Sequence, residues 1–255
     1  MSLTEILWLT LAGVGAGLTG SMAGLASLVS YPALLAAGLP PYVANVTNTV
    51  GLLPNGFGSA LSSRTELRGQ GRRVARLAVA SATGGVAGAA LLLLTDPAAF
   101  EAVVPWLVAL GAVLLLTRDK IREAVERRRS LRTAPAADPR PWRWTLVVVL
   151  AGVYGGYFGA GAGIIVLAVL SLQTVEPIAV SNAVKNIVTT ACNAVAAAAY
   201  VVLAPVEWAA AAPLAVGVLV GAVIGPALVR RIPERPFRWG IGLAGLGLAG
   251  YLLVS

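Results

Sequence analysis

Lys185 is the one Lys or Arg in the chain that lies clear of the charged connections. Around it the sequence reads Ser181-Asn182-Ala183-Val184-Lys185-Asn186-Ile187-Val188-Thr189-Thr190, inside an apolar run from Ile178 to Leu203 long enough to cross a bilayer. Asn182, Lys185, Asn186, Thr189 and Asn193 fall at i, i+3, i+4, i+7 and i+11, so a helix gathers them on one face. A cation inside a membrane span costs roughly 2.5–3.5 kcal/mol on insertion scales, so it needs a partner or a task. Reception of an anion is the task this face suits, with Lys185 as the charge and Asn182 and Asn186 as hydrogen-bonding groups. The plainer alternative is that Lys185 snorkels to an interface about two turns away. The amides and hydroxyls would then only knit helices together.

A second polar face lies in the run 42–62, where Asn45, Asn48, Leu52, Asn55 and Ser59 share one side of a helix and Thr49 stands beside Asn48. A shift of 137 residues lays Asn45 on Asn182, Asn48 on Lys185 and Thr49 on Asn186. The same shift lays Gly15 on Gly152, Gly24 on Gly161 and Pro40 on Pro177, which reads as an internal duplication. A site between the two faces has amides and hydroxyls on both sides and one ammonium on one side. Oxyanions fit such a lining, because they accept several hydrogen bonds and need modest charge compensation.

These faces need a frame that excludes water. Of the 255 residues 58% are hydrophobic and only 12% charged, too few charges to cover a soluble surface of this size. The chain is therefore expected to be an all-α polytopic membrane protein, its partners the lipid bilayer and a small inorganic or organic anion. Apolar segments run about 3–19, 25–37, 42–62, 74–94, 102–117, 143–159, 161–172, 178–203, 208–229 and 237–254. The first could pass for a signal peptide, but Met1–Trp8 carries Glu5 and no base, so it is expected to be a retained span.

The net charge of +8 sits in connections, which points to membrane topology and away from nucleic acid. The connections 64–76, 118–143 and 230–238 are arginine-rich, whereas 38–41, 95–101 and 204–207 hold no base. The positive-inside rule places the first set in the cytoplasm and the second outside. Loops equivalent under the repeat thus fall on opposite sides, so the two halves are expected to be inverted. The expected division is a first repeat over 1–117, a cytoplasmic basic linker over 118–142 carrying Pro135, Pro139 and Pro141, and a second repeat over 143–255. Inversion requires an odd number of crossings per half. Each half then consists of three spans preceded by a pair of segments that starts and finishes on the same side, as a re-entrant element or two short crossings. Both pairs meet at glycine-rich bends, Gly20-Ser21-Met22-Ala23-Gly24 and Gly155 to Gly163. Backbone groups freed at a bend must be satisfied by protein, water or substrate, so the bends should line a cavity. Gly24, Gly161 and Gly163 would let the backbone approach an ion, while Gly15 and Gly152 read as helix-packing residues.

Several chemistries lack their residues. Without His and with Cys192 as the lone cysteine, an internal disulfide, a thiolate metal cluster and most acid–base sets are excluded, and neither cofactor nor metal is expected. No Ser-His-Asp set, H-E-x-x-H or P-loop is present, so the chain is not expected to be an enzyme or an ATP-driven pump. Apart from Glu207 at a loop edge, the carboxylates lie in connections or at span ends, and no proton relay is visible.

Two halves, each opening on a glycine-rich bend and followed by a Pro-then-Asn helix start (Pro40 to Asn48, Pro177 to Asn186), resemble the TauE/SafE sulfite exporter family, also called TSUP or DUF81. The resemblance covers nearly the whole chain. It implies a multi-pass carrier in the plasma membrane that moves sulfite, sulfonates, thiosulfate or other small organic anions. The expectation is an anion transporter whose midplane site is formed by Lys185, Asn182, Asn186, Asn45, Asn48, Thr49, Gly24, Gly161 and Gly163. An anion-permeable channel and a non-transporting membrane assembly or sensor protein remain open as alternatives, as does a homo-oligomer.

Overall fold

A computed structural model describes residues 1–130, 141–173, 176–228 and 234–254, and among these every regular element is a helix. In chain order they are α1 (Leu3–Ala23), α2 (Ser27–Ala36), α3 (Pro41–Gly51), α4 (Leu53–Ser62), α5 (Gly71–Leu94), α6 (Pro97–Ser130), α7 (Pro141–Tyr157), α8 (Ala162–Gln173), α9 (Ile178–Leu203), α10 (Trp208–Leu228) and α11 (Glu234–Val254). Four helical stretches, Leu3–Ser21, Gly71–Leu94, Pro97–Lys120 and Ala179–Leu203, are long and apolar enough to cross a membrane. Pro135, Pro139, Arg230 and Arg231 lie outside the described residues.

The expected run 42–62 is two helices, not one. Pro54 stands in the first turn of α4 and offers no N–H to the Val50 carbonyl, so the ladder is interrupted at Leu52. Its counterpart α9 is continuous, because Ala191 stands at the position related to Pro54. The charged extension expected after residue 118 is the end of α6, which runs on to Ser130.

Each leading pair of helices doubles back. Capped by its Ser2–Glu5 box, α1 ends at Gly24, whose φ of +72° only glycine adopts readily, and α2 returns alongside it. The Trp8 indole donates to the Ala33 carbonyl at 3.3 Å, and Met1 lines the same pocket as Ala37 and Gly38, so the pair starts and finishes at one end of the molecule. The second pair turns through Gly159 and Gly161, both left-handed, and the Tyr154 hydroxyl donates to the Ala160 carbonyl at 2.6 Å. Trp144 near the start of α7 packs on the same buried cluster as Leu67, Val74 and Val180, residues at the end of the molecule where α5 and α9 begin.

The two most extensive contacts are α1 along α10 and α5 along α7. Both use glycines at four-residue spacing. A Cβ on Gly13 or Gly17 would strike the carbonyls of Leu214 and Val218, and one on Gly84 or Gly88 those of Val149 and Val153. Backbones that approach this closely gain dispersion contacts that lipid cannot match. Gly152 belongs to the second contact, against Ser81 and Gly84, whereas Gly15 meets the Val29 side chain. Further contacts correspond when the halves are exchanged: α9 packs on α5 as α3 and α4 pack on α10, and α6 pairs with α11.

Candidate functional site

The two bends touch, backbone against backbone. A Cβ on Gly24 would lie 3.0 Å from the Gly163 Cα, and one on Gly163 would lie 2.9 Å from the Gly24 Cα. The Lys185 ammonium sits at this contact, 3.3 Å from where a Gly24 Cβ would be. Only glycine leaves room there, and Gly24 is doubly bound to it by its left-handed φ.

Lys185 is fully buried, and its Nζ has no hydrogen-bond partner among the described residues. Snorkelling therefore does not describe it. A long cationic side chain would reach water if it could, and the fold holds this one inside. An unpaired ammonium in such surroundings is among the costliest features a fold can carry.

The asparagines around it are partly occupied. Asn45 Nδ2 donates to the Tyr157 carbonyl at 2.9 Å, so the first polar face braces the second bend. In return Asn182 and Asn186 aim their amide nitrogens at the Ser21 carbonyl, at 3.5 and 3.4 Å, and brace the first bend from α9. Bend carbonyls are the groups that a broken helix leaves without donors, and these amides meet that need inside a dry interior. The cross-bracing leaves the Oδ1 atoms of Asn45 and Asn182 buried and without a partner. Asn48 Oδ1 accepts from Ser30 Oγ at 2.5 Å, and Thr49 Oγ1 donates to the Asn45 carbonyl of its own helix at 3.1 Å.

Gly24, Gly163, Lys185, Asn182 and Asn186 are thus brought together, and Asn45 reaches the second bend from across the molecule. Gly161 is a turn residue facing Leu114 and Gly111 of α6. Asn55 lies against Gly20 of the first bend with its Oδ1 unpartnered, and the Thr189 hydroxyl is bonded back to the Lys185 carbonyl at 2.9 Å. Three contributors were not singled out from the sequence. Ser30 is buried in the short helix α2, which also carries Ser27 and Tyr31, so its residue type alone does not set it apart. Tyr154 and Tyr200, whose hydroxyls tie down the Ala160 and Gly156 carbonyls, are indistinguishable in sequence from ordinary membrane tyrosines.

Among the described residues no group of three or more His, Cys, Asp or Glu side chains could hold a metal ion. What the arrangement can do is hold a negative group against one ammonium, where two helix breaks bring backbone close.

Comparison with known proteins agrees with a transport role. The family described as sulfite exporter TauE/SafE matches residues 9–252. A protein from a Sinorhizobium species, described as probable membrane transporter protein ORF9, is 32% identical over 160 residues, which are 61% of this chain and 57% of that protein. No solved structure matches.

Proposed function

Because the chain belongs to the sulfite exporter TauE/SafE family, a family of membrane transporters, we propose that it carries small anions, with sulfite or a related sulfur oxyanion or organosulfonate as the leading substrate class. The observation that carries the reading is the Lys185 ammonium, fully buried without a partner where Gly24 meets Gly163. An anion there supplies the missing countercharge, and its remaining oxygens accept from nearby donors. Asn182, Asn186, Asn45, Asn48 and Thr49 set the walls of the site, and Gly24, Gly161 and Gly163 keep its turns narrow.

The same reading puts the protein in the plasma membrane with 64–76, 118–143 and 230–238 in the cytoplasm and divides it into repeats 1–117 and 143–255 joined by 118–142. The matching contacts of the two halves, and leading pairs that begin at opposite ends of α9, support an inverted repeat. Export of a monovalent anion is then favoured by the inside-negative potential by ~2.3 kcal/mol per 100 mV, so no coupling ion is required. Transport in proteoliposomes that responds to a proton gradient and ignores voltage would rule out that energetic scheme.

The direct test is thermal unfolding of the purified protein in detergent with sulfite, sulfate, thiosulfate, sulfoacetate, acetate and chloride. Selective stabilisation by a sulfur oxyanion, lost in Lys185→Ala, is the expected result. Stabilisation that survives Lys185→Ala removes Lys185 from the site.

A further inference from the structure

The two ends of α9 differ in a way that the binding site does not explain. Before its start, Glu176 forms an ion pair with Arg73 of α5, and Gln70 Nε2 donates to the same carboxylate at 3.2 Å. Both charged side chains are mostly sequestered, at 18% and 14% exposure for Arg73 and Glu176. The 26 residues of α9 span about 39 Å to its other end. There a pocket of about 630 Å³ opens between the α2–α3 and α9–α10 connections, lined by Leu39, Val43, Val206, Glu207 and Ala209 among others.

The shift that superposes the two polar faces carries Glu176 onto Leu39, Gln70 onto Glu207 and Arg73 onto Ala210. One location, seen at the two ends, is therefore clamped by a charge pair in one case and lined by Leu39 and Glu207 around open space in the other. Lys185, about two turns inside the clamped end, is sealed from solvent.

We propose that the Arg73–Glu176 pair, with Gln70, is a latch that holds the arginine-rich end of the carrier shut while the pocket at the far end stands open. The inference rests on the carrier reading above. An ion pair that is mostly removed from water yet close to the surface can form and break during a cycle without the penalty of a fully buried one. Its counterpart position holds an uncharged Leu39 and Ala210, so the far end closes by packing and has no charge pair to break. A carrier so built rests with the far pocket open above a site that is still sealed, and release of the latch biases it toward the opposite state.

The test needs no substrate. In a Cys192→Ala background, Val43→Cys reports opening of the pocket by its labelling rate with a membrane-impermeant maleimide, measured on protein in lipid nanodiscs. Glu176→Gln and Arg73→Gln are each expected to slow labelling by about threefold or more, as the population leaves the state in which the pocket is open. The charge-swapped pair Arg73→Glu with Glu176→Arg is expected to restore the rate to within about twofold of the parent. Unchanged labelling in either single variant overturns the latch. So does a swap that labels as slowly as the single variants. Loss of the anion-induced thermal shift bears on the site alone, so the two failures are distinguishable.

Discussion

At the scale of single residues, Lys185 sets function against stability. Its ammonium is buried without a partner among the described residues, so the free protein carries a cost that the proposed anion would relieve. Lys185→Met keeps the length of the side chain and removes the charge. The variant is expected to melt at a higher temperature than the parent without anion and to gain nothing from sulfite, as read by paired thermal scans. A parent protein at about 100 times its dissociation constant gains about 2.7 kcal/mol by binding, so the two curves should approach or cross as anion is added. Gly24→Ala places a methyl group 3.0 Å from Gly163 and 3.3 Å from the ammonium, at a φ of +72°. It is expected to lower the melting temperature, by about 1–3 kcal/mol of strain, and to weaken anion binding as well. The face bearing Lys185 was legible in the sequence because helical periodicity fixes which residues of the continuous α9 share a side, whereas the face read from Asn45 to Ser59 is divided by the break at Leu52. That the amide nitrogens of Asn45, Asn182 and Asn186 face bend carbonyls was not, since periodicity names a face and says nothing of what stands opposite.

Among the elements, the contacts α1–α10 and α5–α7 are closed by glycines whose missing side chains let backbone meet backbone. Gly88→Val would drive a branched side chain into the Val153 carbonyl and is expected to abolish monodisperse protein in size-exclusion chromatography. Gly247→Val meets nothing within 4 Å and is expected to leave the elution profile unchanged. Glycine content alone did not separate these two. The spacing of Gly84 and Gly88 against Gly152 and Gly156 did carry the signal, because two matched series four residues apart can interlock. The break between α3 and α4 was also within reach of the sequence. Apolar length reads 42–62 as one span, but Pro54 within it has no N–H for the Val50 carbonyl, which is where the structure breaks the run.

For the molecule as a whole, the arginine-rich connections and the base-free ones should lie on opposite faces of the membrane. In a Cys192→Ala background, Ala98→Cys is expected to react with an impermeant thiol reagent added to intact cells, and Thr65→Cys only after permeabilisation. Both positions are exposed. Labelling of both from outside would contradict the assigned topology. The helical class and the doubling back of the leading pairs were readable from composition and bend glycines. The pairing of Arg73 with Glu176 was not, because the two lie 103 positions apart, one in the first turn of α5 and one in the connection before α9, and hydropathy does not say which connections meet.

The contact of Gly24 with Gly163 also shapes how the protein could move. Gly24 and Gly163 meet backbone on backbone over a single short turn, whereas α1–α10 and α5–α7 meet along several turns, so a tilt between the halves would cost least at this contact. In a carrier such a point would serve as a fulcrum. Tilting about it displaces the ends of the long helices by many ångströms while atoms at the pivot scarcely shift. Cargo held beside the Lys185 ammonium would then see its surroundings almost unchanged as one mouth closes and the other opens. A lever with its load at the pivot does little work on the load, which suits a carrier that must not trap what it carries.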